Sequence, residues 1–380
     1  MKHFVGILAI LFGAASLCQA QNLDDIVKQK ISAASAAPAA VPIAIPASAQ
    51  PWYFGAEDEV KNYFDANAVH VDLAQEAKFY INLIEQHDLI FFGEDHSFKA
   101  GPYAAMLHIK MYNRWAEKNK KPKVTHIFYE FDKTENKEAL DNMEEMLDLA
   151  FSDAQRERIC RRYIEKKMGK NEAMGFIICD LMSDGVIVKA VDLGVTEKKI
   201  NGKLTRCVAG TDFCTTSPEG MTIRNKAIFK EIKSKMPKKS KAVFFGGAMH
   251  VAYGNVVSSV TLTDIAAAFM PDKKIVSVIN HGGKWYNRKT DKEVDISVAP
   301  PRHFVSEEDN SKTLYFENYL YNKYTTDKTA VLKIVPQGQG GAGAYANRPA
   351  DYLVFQPNNV GSDDIIKLWL EISKQLKEIK

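Results

Sequence analysis

DLIFFGEDH at 88–96 and KAVFFGGAMH at 241–250 share one pattern: a short apolar, β-favouring run, then glycine, then an imidazole, with acid side chains beside it in the first. An apolar run of this length, bounded by turn residues, predicts a strand covered on both faces, as in a parallel sheet layered by helices. The glycine lets the backbone leave the strand in a tight turn. Outward along the chain, VTHIFYEF at 124–131, VIVKAVD at 186–192 and KIVSVIN at 274–280 repeat the apolar run. The intervening stretches have helical spacing. Met106, Ile109, Tyr112 and Trp115 mark a helix over 99–118, and residues 134–182 predict two or three more. Ser217-Pro218 supplies an N-cap and N1 pair for a helix reaching about residue 235. The alternation predicts an α/β fold, with a mostly parallel central sheet and crossover helices.

Three further segments fit around this frame. Residues 195–214 predict an inserted hairpin turning at Asn201-Gly202. Residues 284–328 are polar and aromatic and predict an excursion from the domain. Short strands are expected at 331–335 and 352–355, and a C-terminal helix from a Ser362 cap. Asp363 and Asp364 occupy the first turn of that helix, and Ile365, Trp369, Ile372, Leu376 and Ile379 share one face. GQGGAG at 338–343 matches a dinucleotide fingerprint but opens no helix to hold a pyrophosphate, so it is expected to be a flexible loop.

The termini and cysteines set the compartment. Lys2, the apolar run 4–17 and Cys18-Gln19-Ala20 have the layout of a secretory signal over 1–20, cleaved near Ala20. Residues 21–50 contain an Ala/Pro-rich linker, and the folded body is expected from Pro51-Trp52 to the end of the chain as one α/β domain. Removing 1–20 also removes Cys18. The remaining Cys160, Cys179, Cys207 and Cys214 are an even set that suits an oxidising compartment, periplasmic or outside the cell. The short spacing of Cys207 and Cys214 suggests that they pair, and Cys160 with Cys179 then follows by elimination. Hydrophobic residues at 46% and charged residues at 26% exclude a disordered or multi-span chain. Lys+Arg 50 against Asp+Glu 47 gives +3, which does not suggest a nucleic-acid partner, and no later stretch is long and apolar enough to span a membrane in the mature chain.

Polar residues end each strand: Glu94 and His96, Glu130, Asp192, His250 and His281. The carboxyl ends of parallel strands lie on one edge of a sheet, where ligands bind, so these groups are expected to converge. Glu94 and His96 are two apart and point the same way in extended backbone. Two imidazoles with one or two carboxylates can position a water and remove its proton. The same donors suit a divalent metal, with His96, Glu130 and His250 as ligands. His281 is read as a turn or cap residue. Glu130 and Asp192 have a competing reading as a buried ion pair. His70, His87, His108, His126 and His303 have no such placement and are read as structural or exposed.

GEDH at 93–96, Glu130 after its strand, Arg224-Asn225 in IRNKAIFKEI, and GGAMHVAYG at 246–254 together resemble the superfamily of Tiki proteases, TraB/PrgY proteins, ChaN-type haem-binding proteins and erythromycin esterases. The resemblance covers roughly residues 80–280, and GEDH is closest to the ChaN-type form. It differs from the erythromycin esterases in the Glu–His spacing, and from Tiki and TraB proteins in having Glu94 where Thr is usual. The resemblance implies functional roles for Glu94, His96, Glu130, Arg224 and His250. Two main functional expectations follow. One is an exported hydrolase of a small-molecule or peptide substrate, in which His96, oriented by Glu94, is the base. Glu130 and His250 hold the water or a metal, and Arg224 stabilises developing oxyanion charge. The other is a haem- or metal-binding protein, with Tyr103, Tyr129, Met249 and above all Tyr253 facing the porphyrin. A third reading is an inactive scaffold whose polar residues only satisfy one another.

Overall fold

The computed structural model describes residues 65–163, 172–253, 260–287, 292–294, 328–334 and 350–378, with side chains to 374. The expected signal, linker and domain start, the Gly-rich loop and most of the 284–328 excursion lie outside the described residues.

Eight strands form one sheet in the order β1-β11-β12-β8-β2-β7-β3-β4. Their ranges are β1 Ala68–Val71, β2 Leu89–Glu94, β3 Val124–Asp132, β4 Ile187–Asp192, β7 Lys241–Gly247, β8 Ile275–Gly282, β11 Thr329–Lys333 and β12 Tyr352–Gln356. The pairs from β12 through β8, β2, β7 and β3 to β4 are all parallel, and β11 runs antiparallel to both its neighbours. The sheet is therefore mostly parallel, as the apolar runs predicted. The antiparallel strand near one edge is a feature that these runs did not reveal.

Side-chain alternation explains the two covered faces. Ile90 and Phe92 of β2, Val243 and Phe245 of β7, and Val276 and Val278 of β8 pack on one side. There they meet α1 (Leu73–Gln86), α2 (Ala100–Lys118), α3 (Lys133–Asp148), α5 (Glu172–Ser183) and α9 (Ser362–Glu378). Leu89, Phe91 and Phe244 pack on the other side, against α6 (Pro218–Lys235), α7 (Ala248–Val251) and α8 (Leu262–Phe269). Helix α4 (Asp153–Tyr163) completes the three helices between β3 and β4.

Local chemistry sets the boundaries. Asp72 caps α1 by accepting from Gln75 N, while the Gln75 side chain accepts from Asp72 N, a reciprocal capping box. Ser217 Oγ accepts from Gly220 N, with Pro218 just inside α6, as expected. The hairpin consists of β5 (Val195–Ile200) and β6 (Lys203–Val208), and Asn201 and Gly202 both have positive φ, as a tight primed turn requires. Within the expected excursion lies a small ribbon of β9 (Trp285–Asn287) and β10 (Lys292–Val294), and Trp285 also bridges to Phe98. Glu293 of that ribbon accepts from Ser362 N, so the excursion braces the start of the C-terminal helix.

Cys160 and Cys179 form a disulfide with Cα atoms 5.6 Å apart, joining α4 to α5. The expected partner bond is not made: Cys207 and Cys214 are free thiols. Their backbones face each other in a bridge, but each sulfur rests against an oxygen of its own. Cys207 Sγ lies 3.7 Å from Thr205 O, whereas Cys214 Sγ lies 3.3 Å from Thr216 Oγ1. No helix among the described residues is long and apolar enough to cross a membrane.

Candidate functional site at the carboxyl edge of the sheet

Parallel register places Glu94 beside Gly247 and Tyr129 beside Phe245, so β2, β7 and β3 end together. Two local irregularities then shape the edge. A Cβ at Gly93 would stand 2.4 Å from Val251 Cγ2 and 3.0 Å from Ala248 Cα. The glycine thus lets the one-turn helix α7 rest directly on β2 and bring His250 to the strand ends. In β3 the register against β4 shifts between Tyr129 and Asp132. Such a bulge inserts a residue and re-aims side chains, here Glu130.

Glu130 is the hub. Its Oε1 accepts from Arg224 Nη2 at 2.6 Å and lies 3.0 Å from His250 Nε2, while its Oε2 accepts from Gly247 N at 2.5 Å. Arg224 also donates from Nε and Nη2 to both oxygens of Asp192, at 3.0 and 2.6 Å, in the bidentate geometry that guanidinium favours. Asn225, next to Arg224 on α6, fixes the imidazole. Its Nδ2 donates to Val260 O at 2.7 Å, so its Oδ1 must accept from His250 Nδ1 at 2.5 Å. Burial raises the Glu130 carboxyl, but the charge and hydrogen bond of His250, with the charges of Arg224 and His96, hold it well below the usual carboxylate range.

His96 stands at the rim, its side chain 50% exposed, while Glu94 beneath it is 9% exposed. His96 Nδ1 donates to Glu94 Oε1 at 2.9 Å, and Tyr129 Oη reaches Glu94 Oε2 at 3.5 Å. The hydrogen bond to Glu94 raises the imidazole to about 9, against the opposing effect of burial, with the charges of Glu94, Glu130 and Asp95 adding to it. A Cβ at Gly247 would lie 3.4 Å from His96 Nε2, 3.4 Å from Glu130 Oε2 and 3.8 Å from His250 Cδ2. Gly247 therefore faces the space between the two imidazoles and the carboxylate.

Glu94, His96, Glu130, Arg224 and His250 are thus brought together. Tyr253 is not presented to them: its hydroxyl donates to Asp351 Oδ2 at 2.7 Å. Of the other tyrosines named for a porphyrin, Tyr129 is turned to Glu94, and Tyr103 is buried with its hydroxyl raised above the usual range, chiefly by desolvation. A metal on His96, Glu130 and His250 does not fit the donors as they stand. Both Glu130 oxygens are engaged and both His250 nitrogens face oxygens, and among the described residues no three His, Cys, Asp or Glu side chains form a metal-holding group.

Asp192 takes the ion-pair role that competed for it in the sequence. Asn225 adds a role, orienting His250, for which the only sequence signal was its place beside Arg224. His281 departs from its expectation as a satisfied turn residue. It is buried at the end of β8 against the Phe355 ring, and neither ring nitrogen has a hydrogen-bond partner among the described residues. Desolvation pushes its imidazole down to about 4.

Fold and cluster together define an α/β protein with a carboxylate–imidazole centre at the carboxyl edge of its sheet. No family model matches the sequence, and no curated protein matches it. Among solved structures, the chain is similar to the type III effector HopBA1, at 14% identity over 56% of this chain and 87% of that one, with a TM-score of 0.31. It is also similar to RRSP, a MARTX toxin effector domain from Vibrio vulnificus CMCP6, at 15% identity over 61% of this chain and 40% of that one, with a TM-score of 0.33. A third likeness is to a protein from Bacillus cereus, at 10% identity over 82% of this chain and all of that one (100%), with a TM-score of 0.35.

Proposed function

We propose that the protein is an exported hydrolase that cleaves an ester or peptide bond of a small-molecule or peptide substrate at the Glu94–His96/Glu130–His250 cluster. The observation that carries this reading is the space at Gly247, where a rim imidazole backed by one glutamate faces a second imidazole backed by another. His96, oriented by Glu94, takes the proton from the attacking water. Glu130 Oε2, as near to the Gly247 space as His96 Nε2, accepts from that water with its remaining lone pair, and His250 and Arg224, the latter anchored by Asp192, keep Glu130 in place. Arg224 Nη1, whose contact among the described residues is the Met221 sulfur at 3.7 Å, is the nitrogen that meets developing oxyanion charge. The donor geometry favours imidazole over a resident metal as the activator. The superfamily resemblance of GEDH and GGAMHVAYG supports the same residues. The Cys160–Cys179 disulfide supports a periplasmic or extracellular setting after cleavage near Ala20.

The test is a panel of chromogenic esters and quenched peptides, assayed with wild type, His96→Ala and His250→Ala, with and without a chelator. The proposal expects turnover that both substitutions abolish and the chelator leaves unchanged. Full turnover by both variants would end it. Loss of turnover with chelator, restored by zinc, would replace imidazole by a metal as the activator.

A further inference from the structure

The loop between β6 and α6 sets the backbones of two free cysteines opposite each other and ties one of them to the helix that carries Arg224 and Asn225. Cys207 and Cys214 are paired in an antiparallel bridge. The flanking hydrogen bonds run from Val208 N to Phe213 O and from Thr215 N to Arg206 O, both 3.0 Å. The two cysteines are therefore the pair between those bonds, the non-hydrogen-bonded position, where facing Cα atoms stand about 4.5 Å apart and side chains leave on the same face. That separation lies within the range of roughly 4.4–6.8 Å that a disulfide spans. Rotation of the two side chains would bring the sulfurs together. Cys207 is buried, whereas Cys214 is partly exposed.

The Cys214 backbone is also the seat of helix α6. Its carbonyl accepts from Ser217 N and from Ser217 Oγ, both 3.0 Å, and a Cβ at Gly220 would stand only 1.9 Å from the same oxygen. Ser217 in turn caps α6, and Arg224 follows about two turns later.

We propose that Cys207 and Cys214 form a reversible disulfide by exchange with an external thiol–disulfide couple, and that its formation stiffens the N-terminus of the helix that positions Arg224 and Asn225. The partly exposed Cys214, as thiolate, attacks one sulfur of a small-molecule or protein disulfide, and the first external thiol leaves. Cys207 then attacks the Cys214 sulfur of the mixed disulfide, and the second external thiol leaves. The two cysteine protons end on the two released thiols. The cysteine pair is oxidised by two electrons and the external disulfide is reduced by two. The Thr216 hydroxyl, hydrogen-bonded to Cys214, lowers that thiol and so favours it as the attacking group.

The test uses the purified full chain incubated with glutathione disulfide, then alkylated and digested with trypsin. Peptide 207–224 contains both cysteines and no internal Lys or Arg, so the internal bond reads as the loss of two hydrogens and of both alkylation sites. The proposal expects that product, with reversal by reduced glutathione. It also expects amide exchange at Gly220 and Met221 about tenfold slower in the oxidised form. Cys207→Ser should trap a stable glutathione adduct on Cys214, which tests the order of attack without depending on the internal bond. Two alkylated cysteines after oxidant, or a wild-type adduct on Cys214 that Cys207 never resolves, would overturn the exchange. Unchanged exchange at Gly220 and Met221 in the oxidised form would overturn the coupling to the helix. None of these readouts requires a substrate, so they stand apart from the proposed hydrolysis.

Discussion

Glu94 and His96 meet at the rim of the sheet, whereas Glu76 and His108 meet inside the protein. Both are glutamate–imidazole contacts, at 2.9 and 3.1 Å. In the first pair the imidazole is half exposed. In the second, the imidazole and the carboxylate are 0% and 1% exposed. Glu76 also accepts from Thr329 Oγ1 at 2.9 Å and Gln356 Nε2 at 3.0 Å, and His108 stacks on Tyr80 at 4.4 Å. Glu76 on α1 accepts from partners on α2, β11 and β12 and the pair is sealed from solvent, so it ties those elements together. The rim pair directs one imidazole nitrogen toward open space beside a second carboxylate. Identical side-chain chemistry is sealed as a strut in one place and, in the proposed function, is a reactive group at the sheet edge in the other.

His96→Ala tests the reactive side and carries the largest expected effect. Loss of a positioned base should reduce turnover by roughly 10²–10⁴-fold while leaving the melting transition close to wild type, because the side chain is half exposed. Turnover on a chromogenic ester and a thermal melt check the two halves. With an imidazole at about 9, the base form is scarce at neutrality, so wild-type kcat/KM should climb with pH and level off above about 9. A flat profile between pH 7 and 10 would remove His96 as the base.

Glu76→Ala tests the strut. Removing one partner of a sealed pair should destabilise by about 3–5 kcal/mol, since His108, Thr329 and Gln356 lose their acceptor. Urea unfolding measures it. The turnover of whatever fraction remains folded should be near wild type. A variant that unfolds like wild type would show that the inner pair holds nothing.

The strands that carry the rim cluster were legible in the sequence because buried parallel strands are apolar throughout. Glu94, His96, Glu130 and His250 were legible because they follow such runs. What escaped depends on packing between distant segments. The shifted register in β3 that re-aims Glu130, and the contact of Gly93 with α7, leave no local pattern. Nor did spacing show that Tyr253 gives its hydroxyl to Asp351, or that β11 runs antiparallel. Cys207 and Cys214 show the same limit: nearness in sequence placed their backbones opposite one another without joining their sulfurs.

His281 sharpens the comparison as an imidazole with no carboxylate hydrogen-bonded to it. Its folded value of about 4 lies below an unfolded value near 6.5, so between these pH values the unfolded chain holds the proton and the folded chain does not. Wild type should therefore lose stability as pH falls from about 6.5 to 4. His281→Leu removes the titrating group and should flatten that loss by up to about 3 kcal/mol. Urea midpoints at pH 7 and 4.5 decide it, and parallel losses in the two proteins would show that His281 is not responsible.

The subtlest change is Gly247→Ala, which leaves both pairs intact and alters only the space between them. Its φ of −56° is ordinary for any residue, so alanine brings no backbone strain. The new methyl would sit at van der Waals distance, 3.4 Å, from His96 Nε2 and Glu130 Oε2. Stability should change by less than about 1 kcal/mol, because nothing is displaced. Turnover should fall about tenfold, because the methyl occupies the place proposed for the water between His96 Nε2 and Glu130 Oε2. Gly246→Ala is the control of opposite character. Its methyl would stand 2.6 Å from the Phe244 ring and 2.8 Å from Glu130 Oε2, so it should lower stability and turnover together. If Gly247→Ala hydrolysed substrate at the wild-type rate, the space between the imidazoles would not be where water is activated, and the rim pair would lose its claim to differ in kind from the buried one.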